Sequence, residues 1–245
     1  MSQISWLGPQ DSFPNPLLTP DPDQSVPGLI AVSERIYPSQ LLQAYKLGIF
    51  PWYSNEQPVL WWSPDPRMVL KPNDFRCSES LQKSIRHFCQ DTHAKLLVDV
   101  DFGAVIRACA TSARKDQDGT WITHEIIDAY STIYEEGYAH SIAVMEDDEI
   151  IGGLYCVAIG VMVYGESMFS RKPNASKIAL AALSAWCIQN HVTMIDCQQE
   201  TDHLRSMGAK PIPRLDFLQK VQASVNQSNI VKSWKFDKQI LIHWL

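Results

Sequence analysis

This sequence of 245 residues lacks most of the signatures that assign a function class at once. No apolar run approaches ~18 residues, which predicts no membrane span. Residues 1–10 lack the basic start and apolar run of a signal peptide. No GxGxxG, P-loop, GxSxG or HExxH motif occurs, which argues against the common nucleotide, hydrolase and metalloprotease sites. The six cysteines form no CxxC pair, so we expect a reduced, cytoplasmic protein.

The charges are unevenly distributed along the chain, although the net charge is only −6. Residues 116–170 carry eleven acidic groups and no basic group. The flanking blocks, residues 67–115 and 171–245, carry net charges of +4 and +5. This pattern is compatible with one anionic and one cationic partner. Charge alone favours the simpler interpretation that the acidic block solvates a helix and a hairpin.

Proline divides the chain into two parts. Twelve of the fifteen prolines precede residue 73, so this front part is rich in loops and poor in central strands. We therefore predict a Pro-rich N-terminal domain over residues 1–72 and a second domain over residues 73–245. One helix is predicted in the first domain, between Pro38 and Gly48.

The second part has the periodicity of a mixed α/β domain. Helices are predicted over residues 78–89, after an Asp101 cap, and from Thr123 to Gly137. Three β-rich runs follow, SIAVM, IIGGLYCV and GVMVYGES, and then a long apolar helix capped by Asn174 and a strand, VTMID. The order helix, meander, buried helix, strand is typical of an acyltransferase-like sheet layer rather than a doubly wound nucleotide fold.

Five short stretches stand out by their composition. They are GIFPW (48–52), LWWSPDPR (60–67), GTWIT (119–123), GESMFSR (165–171) with NASK (174–177), and IDCQ (195–198) with GAKPIPR (208–214). Together, and in this order, they resemble the leucyl/phenylalanyl-tRNA–protein transferases over about residues 28–218. The tail after about Ile230 has no counterpart that we can place.

The resemblance implies a fold and an activity. It implies an α/β (α+β) fold, with a GNAT-like acyltransferase sheet as the catalytic domain over residues 73–245 and a smaller Pro-rich N-terminal domain. It implies a cytoplasmic aminoacyltransferase that moves Leu or Phe, with Met as a further candidate, from aminoacyl-tRNA to the N-terminal Arg or Lys of acceptor proteins. Such transfer marks those proteins for N-degron degradation. We expect no metal, no organic cofactor, no membrane partner and a monomer.

The catalytic candidates are two carboxylates and an amide. The resemblance points to Asp196 and Gln198 of DCQ and to Glu166 of GES. Glu166 and Asp196 each follow strand-like runs and are expected beside one another at strand ends. A carboxylate there can orient an α-ammonium and relay its proton, and Gln198 offers a donor and an acceptor without charge. The alternative is that Asp196 is a polar strand end paired with a nearby Lys.

An apolar pocket is needed for Leu and Phe. In an extended GVMVYGESMF run, Val161, Val163 and Gly165 share one face. With the positions that the resemblance implies, the predicted aminoacyl pocket consists of Phe50, Leu154, Val163, Met168, Ser170 and Ile195.

The tRNA requires a stacking surface and a basic surface. The resemblance places Trp52 and Trp121 near the terminal adenosine, with Trp61 and Trp62 as the rival pair. Phosphate contacts are assigned to Arg76, Lys83 and Arg86, followed by Arg67 and Lys71.

Two other functions remain as alternatives at this point. A coenzyme-A-dependent acyltransferase would need a glycine-rich pyrophosphate loop, for which RKPNASK is a poor candidate. A tRNA-binding adaptor would use the same surfaces without catalysis. Cys197 is interpreted as a structural thiol rather than a nucleophile. A zinc site at His87, Cys89 and His93 lacks a fourth ligand at the usual spacing.

Overall fold

The computed structural model describes residues 4–18, 25–54, 56–112, 121–228 and 234–245. Within them lie seven α-helices: α1 Pro38–Lys46, α2 Glu79–Gln90, α3 Phe102–Thr111, α4 His124–Glu135, α5 Ala175–Gln189, α6 Asp202–Ser206 and α7 Arg214–Val225. The strands of the described residues are β1 Ser5–Leu7, β2 Leu29–Ser33, β3 Phe50–Pro51, β4 Val59–Trp62, β5 Arg67–Leu70, β6 Lys95–Val98, β7 Ala139–Glu146, β8 Glu149–Ile159, β9 Met162–Ser170, β10 Ile195–Asp196 and β11 Lys210–Ile212. Two 3₁₀ helices cover Pro72–Asp74 and Lys238–Trp244.

The strands form two sheets of unequal size. The smaller sheet has the order β1-β2-β4-β3, and the larger sheet has the order β11-β5-β10-β9-β8-β7-β6. Within the larger sheet β9 and β10 run parallel, and the other neighbours run antiparallel. The mixed α/β class is therefore confirmed, as is the predicted order of helix α4, meander β7–β9, buried helix α5 and strand β10.

The domain boundary at residue 72 stays a prediction. The smaller sheet lies wholly before residue 63. However, β5 also precedes the boundary, and it pairs with β10 and β11 in the larger sheet. The strand pairing thus joins the segment 67–70 to the second part of the chain.

Local signals account for several helix starts. Ser78 and Thr123 accept hydrogen bonds from the backbone N–H groups of Leu81 and Ile126, as N-caps do. Asp101 caps α3 in the same way. Asn174 differs from its prediction as a cap, because it adopts a left-handed conformation with φ of 66°. Its amide donates to the Ser84 hydroxyl instead, which ties α5 to α2.

The core lies on both faces of the larger sheet, as the period of two along a strand requires. Along β8, Leu154 and Cys156 point to the face covered by α2 and α5, whereas Tyr155 and Val157 point to the face covered by α1, α3 and α4. No helix of the described residues is long and apolar enough to cross a membrane.

Candidate active site

A cleft opens where β10 ends and separates from β9. The two strands pair only at Ile195 with Val163 and at Asp196 with Tyr164. The chain then leaves the sheet through Gln198, which has φ of 56°. The resulting cavity of about 490 Å³ lies between these strands and α5. Its apolar wall consists of Leu154, Met168, Leu180, Leu183, Ile195 and Leu204.

A second cavity of about 200 Å³ adjoins the first. It is lined by Phe50 and Trp52 from the N-terminal part of the chain and by Trp121. The two cavities share Trp121, Glu166 and Gln198 in their walls, so they form one cleft with two chambers. The Trp62 indole N–H donates to the Trp52 carbonyl at 2.7 Å and fixes that loop. Trp61 is fully buried in the core. The rival pair, Trp61 and Trp62, therefore supports the loop that carries Trp52 and does not form the wall of the small cavity.

A β-bulge directs Glu166 into this cleft. Gly165 pairs with Cys156, and Ser167 pairs with Tyr155, so Glu166 is the extra residue of β9. A bulge reverses the side on which the following residues lie. Met168 therefore joins the face that carries the large cavity. The simple alternation expected along GVMVYGESMF is wrong beyond Gly165 for this reason.

Glu166 is held by hydrogen bonds from both sides. The Tyr130 hydroxyl donates to Glu166 Oε2 at 2.9 Å, and Gln198 Nε2 donates to Oε1 at 3.2 Å. A further hydroxyl, that of Tyr45, lies 2.5 Å from the Tyr130 hydroxyl. The pKa of the Glu166 carboxyl is raised to about 7, mainly by burial and to a lesser degree by the nearby Asp196 charge. The two tyrosine hydroxyls and Arg67 counteract part of this increase.

Asp196 lies behind the cleft wall and acts on the cleft through Gln198. The Arg67 guanidinium donates from Nε to Oδ1 at 2.8 Å and from Nη2 to Oδ2 at 2.6 Å, and both side chains are fully buried. Asp196 Oδ1 also accepts the backbone N–H of Gln198 at 2.9 Å. This bond stabilises the left-handed conformation that aims the Gln198 side chain at Glu166. Asp196 thus pairs with a cation, which is Arg67 and not the lysine of the alternative interpretation, and it also contacts Gln198 of the cleft wall.

Arg67 corrects one expectation of the sequence. It was placed among the phosphate-binding candidates, yet its guanidinium is buried against the rings of Phe50 and Phe217, 4.7 and 4.4 Å from their centroids. An arginine fully removed from solvent is available to Asp196 and not to a phosphate.

The predicted pocket residues fall into three groups. Leu154, Met168 and Ile195 line the large cavity, and Phe50 lines the small one. Val163 lies instead in the core, fully buried on the α5 side of the sheet before the bulge. Ser170 is exposed, and its hydroxyl accepts the Ser176 N–H at the start of α5.

Apart from Arg67, the basic residues assigned to tRNA phosphates are exposed. Lys83 and Arg86 lie one turn apart on α2, and Arg76 precedes that helix. Burial lowers the pKa of His203. The nearby charge of Lys177, at the start of α5, lowers this pKa as well. Since His203 lines the large cavity, Lys177 is a cation close to this part of the cleft wall.

The sequence did not identify several residues that line the cleft or form hydrogen bonds with the groups in its wall. Tyr45 and Tyr130 fit the apolar stripes of their helices, so their hydroxyls gave no signal. Leu180 and Leu183 belong to a helix that is apolar on all sides, and periodicity could not select its cavity-lining face. His203 is a single histidine without a motif, so nothing in the sequence indicated that it lies on the cleft wall.

Among the described residues, Cys197 is not an activated nucleophile. Burial raises the pKa of the Cys197 thiol well above its usual value, which keeps the thiol protonated. All six cysteines are free. Among the described residues no cluster of three or more His, Cys, Asp or Glu side chains could hold a metal ion.

Comparisons with known proteins match nearly the whole chain. The family model described as leucyl/phenylalanyl-tRNA protein transferase matches residues 69–222, and the model of that family's N-terminal domain matches residues 35–65. The leucyl/phenylalanyl-tRNA–protein transferases of Cupriavidus taiwanensis and Ralstonia pickettii are 53% and 49% identical over 241 residues. These alignments cover 98% of this chain and 96% and 97% of the two relatives.

Two solved structures are similar to this chain at a low level. L-PGS from Bacillus licheniformis is 12% identical with a TM-score of 0.38, over 68% of this chain and 53% of the other. A GCN5-related N-acetyltransferase from Kribbella flavida is 14% identical with a TM-score of 0.32, over 60% of this chain and 54% of the other. Neither similarity bears on the chemistry of the cleft.

Proposed function

We propose that this chain moves leucine or phenylalanine onto the N-terminal Arg or Lys of acceptor proteins. The premise is that the chain belongs to the leucyl/phenylalanyl-tRNA protein transferase family. Membership of this family makes the chain an enzyme that transfers an amino acid from tRNA to a protein. Methionine as a third donor, and N-degron degradation as the fate of the product, are further parts of the proposal. The observation that carries it is the Glu166–Gln198 pair at the junction of two cavities.

The reaction is aminolysis of an ester. The acceptor α-amine attacks the carbonyl that links the amino acid to the terminal adenosine. A C–N bond forms, the C–O bond to the ribose breaks, and the ribose oxygen leaves with a proton. The α-ammonium, with a pKa near ~8, must first lose its proton. Glu166, with its pKa raised to about 7, is the group placed to receive it.

Gln198 and Asp196 have separate tasks in this scheme. The Gln198 amide holds one Glu166 oxygen and leaves its own carbonyl available to the incoming amine. Asp196, paired with Arg67, fixes the backbone of Gln198 and is a positioning residue. Positioning of two reactants can supply ~7–11 kcal/mol, so this arrangement suits a reaction without a covalent intermediate.

The large cavity is the proposed site for the transferred side chain. Four leucines, one isoleucine and one methionine line it, which suits an aliphatic or aromatic group of moderate size. Met168 can adapt its shape to either group. A single methylene changes affinity by only ~1–3 kcal/mol in such a pocket, so the shape of the wall must carry the rest of the selectivity.

The small cavity is the proposed site for the terminal adenosine. Trp52 and Trp121 line it, and stacking of a base on an aromatic ring contributes roughly 1–3 kcal/mol. The exposed cations Arg76, Lys83 and Arg86 are proposed to contact phosphates of the acceptor end. These contacts do not read sequence, so we expect recognition of the aminoacylated end rather than the tRNA body.

The acceptor is proposed to enter as a cation. Glu166 faces the cleft with a carboxylate, and eleven acidic residues lie within the block 116–170. Long-range attraction is screened beyond about 8 Å in physiological salt, so the contact at Glu166 matters more than the block as a whole. We expect a monomer that acts in the cytoplasm without a metal or organic cofactor.

The test is direct transfer with purified protein. Radiolabelled Leu-tRNA and Phe-tRNA are offered with peptides that begin with Arg, Lys or Ala. The proposal expects label on the Arg and Lys peptides and none on the Ala peptide. Gln198→Ala should reduce transfer at least tenfold, whereas Gln222→Ala, an exposed glutamine of α7, should leave it unchanged.

The outcomes separate the proposal from its alternatives. Binding of aminoacyl-tRNA without any transfer would favour the adaptor that the sequence left open, and would refute the assignment of Glu166. Transfer to Ala peptides as well would refute the acceptor preference alone.

A further inference from the structure

The tail over residues 234–245 packs on the turns of α5 whose leucines line the large cavity. Leu180 and Leu183 of α5 line the cavity. The Ala181 carbonyl and the Trp186 ring contact the tail, and helical spacing places Trp186 one turn after Leu183 on the same face of α5. The tail and the cavity therefore meet at the same turns of the helix.

The tail is fixed at three points around α5. The Trp234 ring stacks on Trp186 with centroids 3.8 Å apart, and His140 stacks on its other face at 4.0 Å. Lys238 Nζ donates to the carbonyls of Asp91 and Ala94, at 2.5 and 3.0 Å, just after α2. These contacts tie the tail to β7, α5 and the end of α2.

Trp244 connects the tail to the turn of α5 that lines the cavity. Its indole N–H donates to the Ala181 carbonyl at 2.8 Å. Its ring lies 5.0 Å from the ring of Phe75, which belongs to the same core cluster as Leu180 and Leu183. Ile240 and Leu241 of the same 3₁₀ helix are buried in that cluster.

Leu180 and Leu183 line the cavity and also belong to the buried core cluster that includes Phe75, Ile240 and Leu241. Because a protein core is close-packed, loss of one contact shifts the neighbouring side chains and backbone. The tail contacts are therefore part of the packing that sets the position of this cavity wall.

We propose that Trp244 is a positioning residue that sets the width of the aminoacyl pocket, and so the preference between leucine and phenylalanine. This inference rests on the proposed function, because it takes the large cavity as the donor pocket. Loss of the Trp244 contacts lets the turn at Ala181 move away from the sheet. A wider pocket leaves the smaller leucine side chain underpacked, whereas phenylalanine fills the added space.

The experiment measures binding without turnover. Amide-linked leucyl-adenosine and phenylalanyl-adenosine, which cannot be transferred, are titrated into the full-length protein by calorimetry. Trp244→Ala should change the ratio of the two dissociation constants at least about threefold in favour of phenylalanine, a fraction of the roughly tenfold or greater effect of one methylene. Ile242→Ala, an exposed residue of the same 3₁₀ helix, is the matched control and should leave the ratio unchanged.

A second variant decides the case if Trp244→Ala does not fold. Trp244→Phe keeps a ring against Phe75 and removes only the hydrogen bond to Ala181. It should shift the ratio in the same direction by a smaller factor. An unchanged ratio in the folded Trp244 variants would overturn the inference, because a purely structural role lowers both affinities equally. Wild-type protein that binds neither analogue would refute the donor pocket itself.

Discussion

Replacing Glu166 with glutamine should stabilise the protein at neutral and alkaline pH while it impairs transfer. Burial raises the pKa of the Glu166 carboxyl to about 7, from about 4.5 in an unfolded chain. The folded state therefore holds this proton more tightly than the unfolded state does. Stability contributed by the protonated form is fully present below about pH 4.5 and is lost as the pH rises through about 7.

The magnitude follows from the two pKa values. A difference of one pKa unit corresponds to about 1.4 kcal/mol, so the step from about 4.5 to about 7 amounts to about 3 kcal/mol above pH 7. Glutamine does not titrate, and its carbonyl can still accept the Tyr130 hydroxyl. At pH 8 the variant should thus exceed the wild type by up to about 3 kcal/mol, or roughly 6–12 °C in Tm. Near pH 4.5 the difference should disappear.

Urea unfolding at several pH values between 4.5 and 8.5 measures this difference. Glu135→Gln, an exposed glutamate at the end of α4, is the control and should follow the wild type at every pH. Parallel stability curves for wild type and Glu166→Gln across this range would refute the argument. They would mean that folding does not shift the pKa of Glu166.

Four further outcomes are expected. Tyr130→Phe removes a hydrogen-bond donor to Glu166 and should move the acid limb of the pH–rate profile to higher pH. The control is Tyr164→Phe, which removes a buried hydroxyl that donates to the Tyr45 carbonyl and should leave the acid limb in place. Asp196→Asn should lower transfer at least tenfold, and should also destabilise the fold by roughly 3–5 kcal/mol in urea unfolding because Arg67 stays buried without its partner. Met168→Ala should change the ratio of kcat/KM for Leu-tRNA and Phe-tRNA, and an unchanged ratio would remove it from the pocket. Binding of aminoacyl-tRNA should weaken between 50 and 200 mM salt, as measured by filter binding, and indifference to salt would remove the phosphate contacts.

Local signals made much of the fold predictable. Ser78 and Thr123 mark helix starts because a hydroxyl can accept an N–H only two or three residues away, and that relation is visible in sequence. The meander could be predicted because its strands follow one another through short turns. Asn174 shows the limit of the same argument, since its amide prefers a partner on α2.

The residues of the candidate site could be predicted from the sequence, but the contacts between them could not. Glu166, Gln198 and Asp196 stood out within short motifs, whereas the Arg67–Asp196 pair joins residues 129 positions apart. The bulge at Glu166 depends on how β9 pairs with β8, so alternation along one strand could not reveal it. Periodicity assigned Tyr130 to the core, and only the fold shows that its hydroxyl reaches the cleft.

The Arg67–Asp196 pair explains why Glu166 and not Asp196 suits the proton transfer. Arg67 binds both oxygens of Asp196, so this pair presents little net charge to the cleft, and Glu166 is the carboxylate that lines the cleft. Proton transfer from an amine with a pKa near 8 to a carboxylate with a pKa of about 7 costs about 1.4 kcal/mol. Transfer to an ordinary glutamate with a pKa near 4.3 would cost about 5 kcal/mol. The burial that destabilises the folded protein at neutral pH therefore lowers the cost of freeing the acceptor amine.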